Sequence, residues 1–231
     1  MAYQYIKARK HSGAQKRIDR IVIHCTVSPT GRGWARKIAN YFQSPSAGGS
    51  AHYVVDAGEI VQCLPDDVIA WHAPPNSGSI GIELCDWQKG KASRWQDDEH
   101  QSMLRLAAPL VRRLAEKYDV PLVWISPAGL KAGHRGICGH VDVSRAWGQT
   151  DHGDPNMGGL FPKIQFMNMI GDAGDELSAE DVIHGKHIVI DKGEKGAEKV
   201  SLAHFMQVIE TDLDEMKKEI KELKALLKAK E

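Results

Sequence analysis

Three residues far apart in the chain, His24, His140 and Asp154, have the side-chain types and local settings of metal ligands. His24 follows the run Ile21-Val22-Ile23, whose β-branched residues predict a buried strand. Asp154 lies in a segment whose glycine and proline predict a loop. Two imidazoles and one carboxylate leave the fourth tetrahedral position of Zn²⁺ open for water, as in catalytic zinc sites. If the three side chains meet, the sequence predicts a hydrolase with one zinc ion per chain.

The residues alone do not decide between this zinc site and ordinary roles for the same side chains. A single histidine on a strand is more often a satisfied core or surface residue than a metal ligand. The chain has no His-Glu-x-x-His pattern, so the common metalloprotease helix is absent. Asp151 competes with Asp154 as the carboxylate ligand, whereas Asp142 is interpreted as a helix cap or as support for His140.

Composition and charge exclude several classes of protein. The 30 basic and 30 acidic residues balance, so no net field attracts nucleic acid or an anionic membrane, and neither is predicted as a partner. No run of about 18 apolar residues is present, so the sequence predicts no membrane-spanning segment. The first residues lack the apolar stretch of a secretory signal, which predicts synthesis in the bacterial cytoplasm.

The four cysteines, Cys25, Cys63, Cys85 and Cys138, show no Cys-x-x-Cys spacing, which disfavours a structural zinc site built from cysteine. Free cysteine prefers the protein interior, so we expect four buried, reduced thiols. Because successive side chains of a strand point to opposite faces, Cys25 is expected to face away from the ligand His24.

Residues 15–171 alternate short strand-like runs with helical patterns, which predicts an α/β domain with a central mixed β-sheet flanked by helices. Asp56-Ala57-Gly58 predicts a hairpin turn between two of the strands. Pro109 falls inside the second predicted helix, where it predicts a kink or a break. The predicted strands are Ile21–Cys25, His52–Val55, Glu59–Leu64, Ile80–Leu84 and Leu122–Ile125, and the predicted helices are Trp34–Gln43 and Trp95–Tyr118.

The last 60 residues differ in character from the rest of the chain. Residues 172–200 are rich in glycine and charge and predict a linker, with a possible short strand at His187-Ile188-Val189-Ile190. Residues 201–231 carry a heptad pattern, which predicts either an amphipathic helix packed on the main domain or a parallel coiled coil that makes the protein a homodimer. The heptad positions are Leu202, Met206, Ile209, Leu213, Met216, Ile220, Leu223 and Leu227.

Five blocks follow one another along the chain: Ile21-Val22-Ile23-His24-Cys25-Thr26, Ser50-Ala51-His52-Tyr53-Val54-Val55, Ala70-Trp71-His72-Ala73, Ser79-Ile80-Gly81-Ile82-Glu83-Leu84 and Gly139-His140-Val141-Asp142. In this order they resemble the type-2 N-acetylmuramoyl-L-alanine amidases, a zinc family that includes phage lysins and peptidoglycan recognition proteins. The resemblance covers roughly residues 15–170. A small amidase domain followed by a short C-terminal module is similar to the endolysins of phages that infect actinobacteria.

The resemblance implies specific roles. The zinc ligands of the family fall on His24, His140 and Asp154, and its catalytic glutamate falls on Glu83. His152 stands where several members have a catalytic lysine, and a histidine is only partly cationic at neutral pH. Ala51 stands where some lysozyme-like members have a tyrosine, so that role is not assigned to any residue of this chain.

General chemistry supports catalytic roles for two of these residues. Glu83 can take a proton from water and pass it to the leaving amine, although a structural hydrogen-bond role is the alternative. His152 can stabilise the oxyanion as an N–H donor, or it is a supporting or solvent-exposed histidine. His72 and Trp71 are predicted to bind substrate, with buttressing of the groove and burial in the core as their respective alternatives. His134 and Arg135 match no ligand position.

The resemblance implies zinc-dependent hydrolysis of the amide between N-acetylmuramic acid and L-alanine in peptidoglycan, as in a phage endolysin that acts on the cell wall after release. Two alternatives remain open. One is a non-catalytic peptidoglycan-binding module, although such members typically lose a metal ligand. The other is a cytoplasmic amidase that recycles cell-wall fragments, which has little use for an oligomerising tail.

Overall fold

The computed structural model describes residues 3–156 and 160–172. Within these residues the strands are β1 (Gln4–Tyr5), β2 (His11–Ala14), β3 (Arg20–Val27), β4 (Tyr53–Val55), β5 (Ile60–Gln62), β6 (Val68–Ala70), β7 (Ser79–Asp86) and β8 (Gly136–Gly139). The helices are α1 (Trp34–Gln43), α2 (Asp98–Tyr118), α3 (Pro127–Lys131), α4 (His140–Trp147) and α5 (Lys163–Asp172), with a 3₁₀ turn at Ala92–Gln96.

Six of these strands form a mixed sheet in the order β1-β5-β4-β7-β3-β8, and β2 pairs with β6 in a separate antiparallel ribbon. β3 runs parallel to both β7 and β8, whereas β4 and β5 form the antiparallel hairpin predicted around Asp56-Ala57-Gly58. Helix α2 packs on the sheet and on α5. The predicted mixed sheet flanked by helices is therefore confirmed.

The two long central strands set the position of the site. Almost every residue of β3 and β7 is buried, as expected for parallel strands covered on both faces. His24 of β3 pairs in register with Glu83 of β7, so their side chains leave the same face of the sheet. Ile23 pairs with Gly139, the last residue of β8, so His24 on β3 and His140 just beyond the end of β8 lie side by side.

Helix α2 begins three residues later than predicted because the carboxylate of Asp97 accepts the backbone N–H of His100 and caps the helix. Of the kink or break predicted at Pro109, the break is wrong, since α2 runs unbroken from Asp98 to Tyr118, and the kink stays a prediction. The apolar face that α2 buries stabilises the helix by more than the single hydrogen bond that Pro109 removes. The buried residues of this face include Met103, Leu110, Val111 and Leu114.

The strand predicted at Leu122–Ile125 is wrong, because only an isolated bridge from Trp124 to Ile137 forms there. On the side away from β7, the strand that pairs with β3 is β8. The sequence pattern did not predict β8 because two of its four residues are glycine. All four cysteines are free and buried, as predicted. Burial raises the pKa of the Cys25 thiol well above its usual range, which keeps this thiol protonated beside the site.

The predicted C-terminal features fall almost wholly outside the described residues. Asp172, the first residue of the predicted linker, is instead the last residue of α5. The rest of the 172–200 linker and the 201–231 helix lie beyond the part that the structure describes. No helix within the described ranges combines the length and the apolar character needed to cross a membrane.

Candidate metal centre

The structure brings His24, His140 and Asp154 together in the interior. Potential ligand atoms of the three residues all lie within 4.8 Å of one another. Nδ1 of His24 lies 3.1 Å from Oδ2 of Asp154, and Nδ1 of His140 lies 3.4 Å from Oδ1 of the same carboxylate. The side chains are only 2 to 7% exposed. Asp151, the competing carboxylate, is exposed.

Local structure explains how each of the three residues reaches this position. His140 is the first residue of α4, whose start is fixed because the carboxylate of Asp142 accepts the Gly139 N–H at 2.8 Å. The Val141 N–H donates to the backbone carbonyl of Asp154 at 2.8 Å and holds that loop against α4. A Cβ at Gly139 would lie 2.8 Å from Cδ of Pro155, so glycine permits the close approach of the loop.

The electrostatics of the cluster favour a cation between the three groups. Burial alone would raise the pKa of Asp154, but the imidazoles of His140 and His24 lower it well below its usual range. Burial lowers the pKa of His140, which favours the neutral imidazole that metals require. Nδ1 of His140 is buried and has no hydrogen-bond partner among the described residues. An orphaned nitrogen aimed at an ionised carboxylate fits a metal ligand.

The opposite ring nitrogen of each histidine faces a protein group. Nε2 of His24 lies 3.0 Å from Nδ1 of His72, and Nε2 of His140 lies 3.2 Å from Oγ1 of Thr150. Oγ1 of Thr150 is in turn 2.7 Å from Oγ of Ser144. Such outer partners fix the orientation of ligating imidazoles. Sequence reasoning missed Thr150 and Ser144, since a hydroxyl residue in a polar segment gives no specific signal.

Glu83 lies beside the cluster and is the one residue of β7 that is not fully buried. Burial, and secondly the carboxylate of Asp154, raise the pKa of Glu83 to about 8. Within the described residues its carboxylate has no side-chain hydrogen-bond partner. A partly exposed carboxyl group with a raised pKa is suited to exchanging protons with a bound reactant.

His152 sits at the exposed edge of the cluster, with its side chain 57% exposed. Its ring centroid lies 4.4 Å from that of His140, and its Nδ1 lies 3.6 Å from Oδ1 of Asp154. The chain therefore places a hydrogen-bonding side chain between the buried carboxylate and solvent. This position suits the predicted donor role.

The two residues predicted to bind substrate occupy different environments. His72 is buried, and both of its ring nitrogens face protein groups, so it buttresses His24 and presents neither nitrogen to a ligand. Trp71 is 42% exposed, which rules out the core, and its Nε1–H donates to Oγ of Ser12. Arg135 binds the backbone carbonyls of Ile18 and Tyr118, so its contacts are structural.

The mixed sheet and the cluster of two histidines and one aspartate define an α/β protein with a candidate metal centre. The sequence profile described as N-acetylmuramoyl-L-alanine amidase matches residues 14–156, which include all three cluster residues and Glu83. The chain therefore belongs to the N-acetylmuramoyl-L-alanine amidase family.

Individual relatives are distant and longer than this chain. The amidase CwlH of Bacillus subtilis (strain 168) is 29% identical over 113 residues, which are 46% of this chain and 42% of CwlH. A probable N-acetylmuramoyl-L-alanine amidase of Bacillus licheniformis is 27% identical over 180 residues, 62% of this chain and 48% of that protein. The chain thus spans less than half the length of either relative.

Solved structures share the fold. The catalytic domain of XlyA aligns with a TM-score of 0.52 and 22% identity, covering 74% of this chain and all of that domain. The Staphylococcus aureus hydrolase AmiA aligns with a TM-score of 0.55 and 19% identity, covering 79% of this chain and 84% of AmiA. At these identities the likeness concerns the fold alone.

Proposed function

We propose that this chain is a zinc-dependent amidase that hydrolyses the bond between N-acetylmuramic acid and L-alanine in peptidoglycan. The observation that carries the proposal is the convergence of His24, His140 and Asp154 beside Glu83, in a chain that belongs to this family. Two neutral imidazoles and a carboxylate suit Zn²⁺ and leave a position for water or substrate. Bound there, zinc supplies Lewis acidity and lowers the pKa of water toward neutrality.

The residues of the chain then have defined tasks. His24, His140 and Asp154 hold the metal. Glu83 accepts the proton of the attacking water and delivers it to the amine that leaves as the amide breaks. His152, at the solvent edge, donates an N–H to the oxygen on which negative charge develops. Trp71, exposed next to the buttressing His72, contributes an aromatic surface for the substrate.

The test of this function is a comparison of two products from purified peptidoglycan. An amidase releases new amino groups without new reducing sugars, a glycosidase releases reducing sugars, and a binding module releases neither. The proposal fails if purified protein with zinc present releases no amino groups.

We propose further that the enzyme is a phage endolysin, made in the bacterial cytoplasm and active on the wall after release. The support is its similarity to endolysins in which a small amidase domain precedes a short C-terminal module. An endolysin should clear suspensions of intact cell walls. Activity confined to small soluble muropeptides would instead indicate the alternative of a recycling enzyme.

The role of His152 leads to a prediction about turnover. His152→Ala should lower kcat, because the donor next to Asp154 is lost, whereas His152→Lys should retain part of the activity. Steady-state kinetics on a soluble muropeptide measure both effects. His134→Ala is the matched control, since His134 is also an exposed histidine but is not part of the cluster. Equal kcat in His152→Ala and wild-type protein would remove His152 from the mechanism.

We propose that the heptad of residues 201–231 makes the protein a parallel homodimer. Isolated helices of this length are marginal in water, so the apolar seam needs a partner. Full-length protein should sediment as a dimer at micromolar concentration, and Ile220→Lys should convert it to a monomer. Lys218→Gln, outside the seam, should leave the dimer unchanged. A monomeric wild-type protein would favour the alternative, a helix that packs on its own domain.

A further inference from the structure

A chain of hydrogen bonds runs inward from the loop that joins β6 to β7 and ends at the candidate ligand His24. The Oγ of Ser79 donates to the backbone carbonyl of Asn76 at 2.6 Å. Nε2 of His72 lies 3.0 Å from the same Oγ, and Nδ1 of His72 lies 3.0 Å from Nε2 of His24. From the sequence, no role is predicted for Ser79 or Asn76, and His72 is predicted at the substrate groove rather than in contact with His24.

The directions of these hydrogen bonds follow from the groups involved. A carbonyl oxygen only accepts, so the single hydroxyl proton of Ser79 points to Asn76. The Oγ of Ser79 therefore accepts from His72, which places a proton on Nε2 of His72. His72 is buried, and neither of its ring contacts is a carboxylate, so a charged imidazolium would lack compensation. Neutral His72 is therefore unprotonated on Nδ1, which can accept a hydrogen bond.

We infer that His72 is a positioning residue, set by Ser79 and Asn76, that holds His24 in its metal-binding tautomer. The unprotonated Nδ1 of His72 can only accept, so Nε2 of His24 carries a proton and donates it. Nδ1 is then the ring nitrogen of His24 left to bind a metal, and it faces Oδ2 of Asp154 at 3.1 Å. The carboxylate is also an acceptor, so without a metal a proton on Nδ1 bridges the two atoms, and a metal cation can replace that proton while Nε2 keeps its own. This inference rests on the proposed metal centre and adds the device that prepares it.

The surroundings of His72 hold its ring in one place. A Cβ at Gly81 would lie 2.7 Å from both Cγ and Nδ1 of His72, so the ring packs directly over the β7 backbone at a glycine. The side-chain carbonyl of Asn76 accepts the backbone N–H groups of His72 and Ala73 at 3.0 and 2.8 Å. Asn76 therefore fixes the backbone of His72 and, through Ser79, the tautomer of its ring.

The test uses zinc affinity, measured by competition with a chromogenic chelator in the full chain. Ser79 does not touch the ligands, yet Ser79→Ala removes the acceptor that keeps the proton on Nε2 of His72. His72 can then carry its proton on Nδ1 and donate to His24, which moves the His24 proton onto the ligating nitrogen. We expect zinc affinity to fall about 10–100-fold, the usual effect of removing an outer partner of a metal ligand. Ser77→Ala, an exposed serine of the same loop, should bind zinc as wild type does.

A spectroscopic measurement keeps the inference testable if a variant fails to fold. In metal-free wild-type protein, two-bond ¹H–¹⁵N spectra should show both His24 and His72 protonated at Nε2. A His24 spectrum with a proton on Nδ1 and none on Nε2 would overturn the inference, and so would wild-type zinc affinity in Ser79→Ala. Failure of wild-type protein to bind zinc at all would refute the proposed metal centre and leave the tautomer measurement to decide the inference by itself.

Discussion

Replacing Asp154 by alanine should remove zinc from the protein and abolish hydrolysis. Asp154 is the one carboxylate of the cluster and meets both imidazoles, so its loss leaves two neutral ligands and no charge to balance the cation. Loss of an outer partner costs about 10–100-fold in metal affinity, and loss of a direct ligand should exceed that. Metal analysis and chelator competition measure the effect. Wild-type protein should carry one zinc per chain, and a strong chelator should remove zinc and activity together.

The matched control for Asp154 is Asp151→Ala. Asp151 has the same side chain, lies three residues earlier in the same loop and is exposed. Its replacement should leave zinc affinity and turnover near wild type. The assignment of the carboxylate ligand would be wrong if Asp151→Ala lost zinc and Asp154→Ala kept it. Circular dichroism of Asp154→Asn, which preserves the shape of the side chain, checks that the fold survives.

Replacing Glu83 by glutamine should leave zinc bound and the fold intact while turnover falls by about 10²–10⁴, the usual contribution of a positioned acid–base group. Glu83 is adjacent to His24 on the sheet and is partly exposed. Steady-state kinetics with zinc analysis of the same samples separate the two effects. Glu116→Gln, on an exposed part of α2, is the control and should retain full turnover.

The raised pKa of Glu83 also predicts the direction of the pH dependence. Burial and the nearby Asp154 raise this pKa to about 8, and a cation held by Asp154 would cancel the second cause. Only the ionised carboxylate can accept a proton, so turnover should increase with pH up to a pKa at or below about 8. The residual turnover of Glu83→Gln should lack this rise. Near-normal turnover in that variant would limit Glu83 to a structural role.

The strands that carry the site could be predicted from the sequence, but the side-chain contacts around the candidate ligands could not. The β-branched run before His24 and the block around Glu83 predict β3 and β7 because buried parallel strands have a strong apolar pattern. Strand β8 was not predicted because its sequence, Gly-Ile-Cys-Gly, has no such apolar pattern. The choice of Asp154 over Asp151 came from the family resemblance, since both aspartates lie in the same polar loop.

The hydrogen-bond partners of the two histidines could not be predicted from local sequence. His72 contacts His24, 48 residues earlier in the chain, only because β7 pairs with β3, and Ser79 at the start of β7 contacts His72 in turn. Thr150 meets His140 only because the chain after α4 folds back along that helix. Such contacts depend on tertiary packing, which leaves no periodic signal in a single sequence.

The three candidate ligands differ in the kind of backbone that carries them. His24 lies on β3, and His140 directly follows the adjacent strand β8. The spacing between these two strands therefore sets the distance between the two imidazoles, whose ring centroids are 4.7 Å apart. Asp154 comes from a loop without regular secondary structure. The sheet thus fixes the two nitrogens relative to each other, whereas the position of the carboxylate depends on the contacts that hold its loop, such as the hydrogen bond from the Val141 N–H to the Asp154 carbonyl.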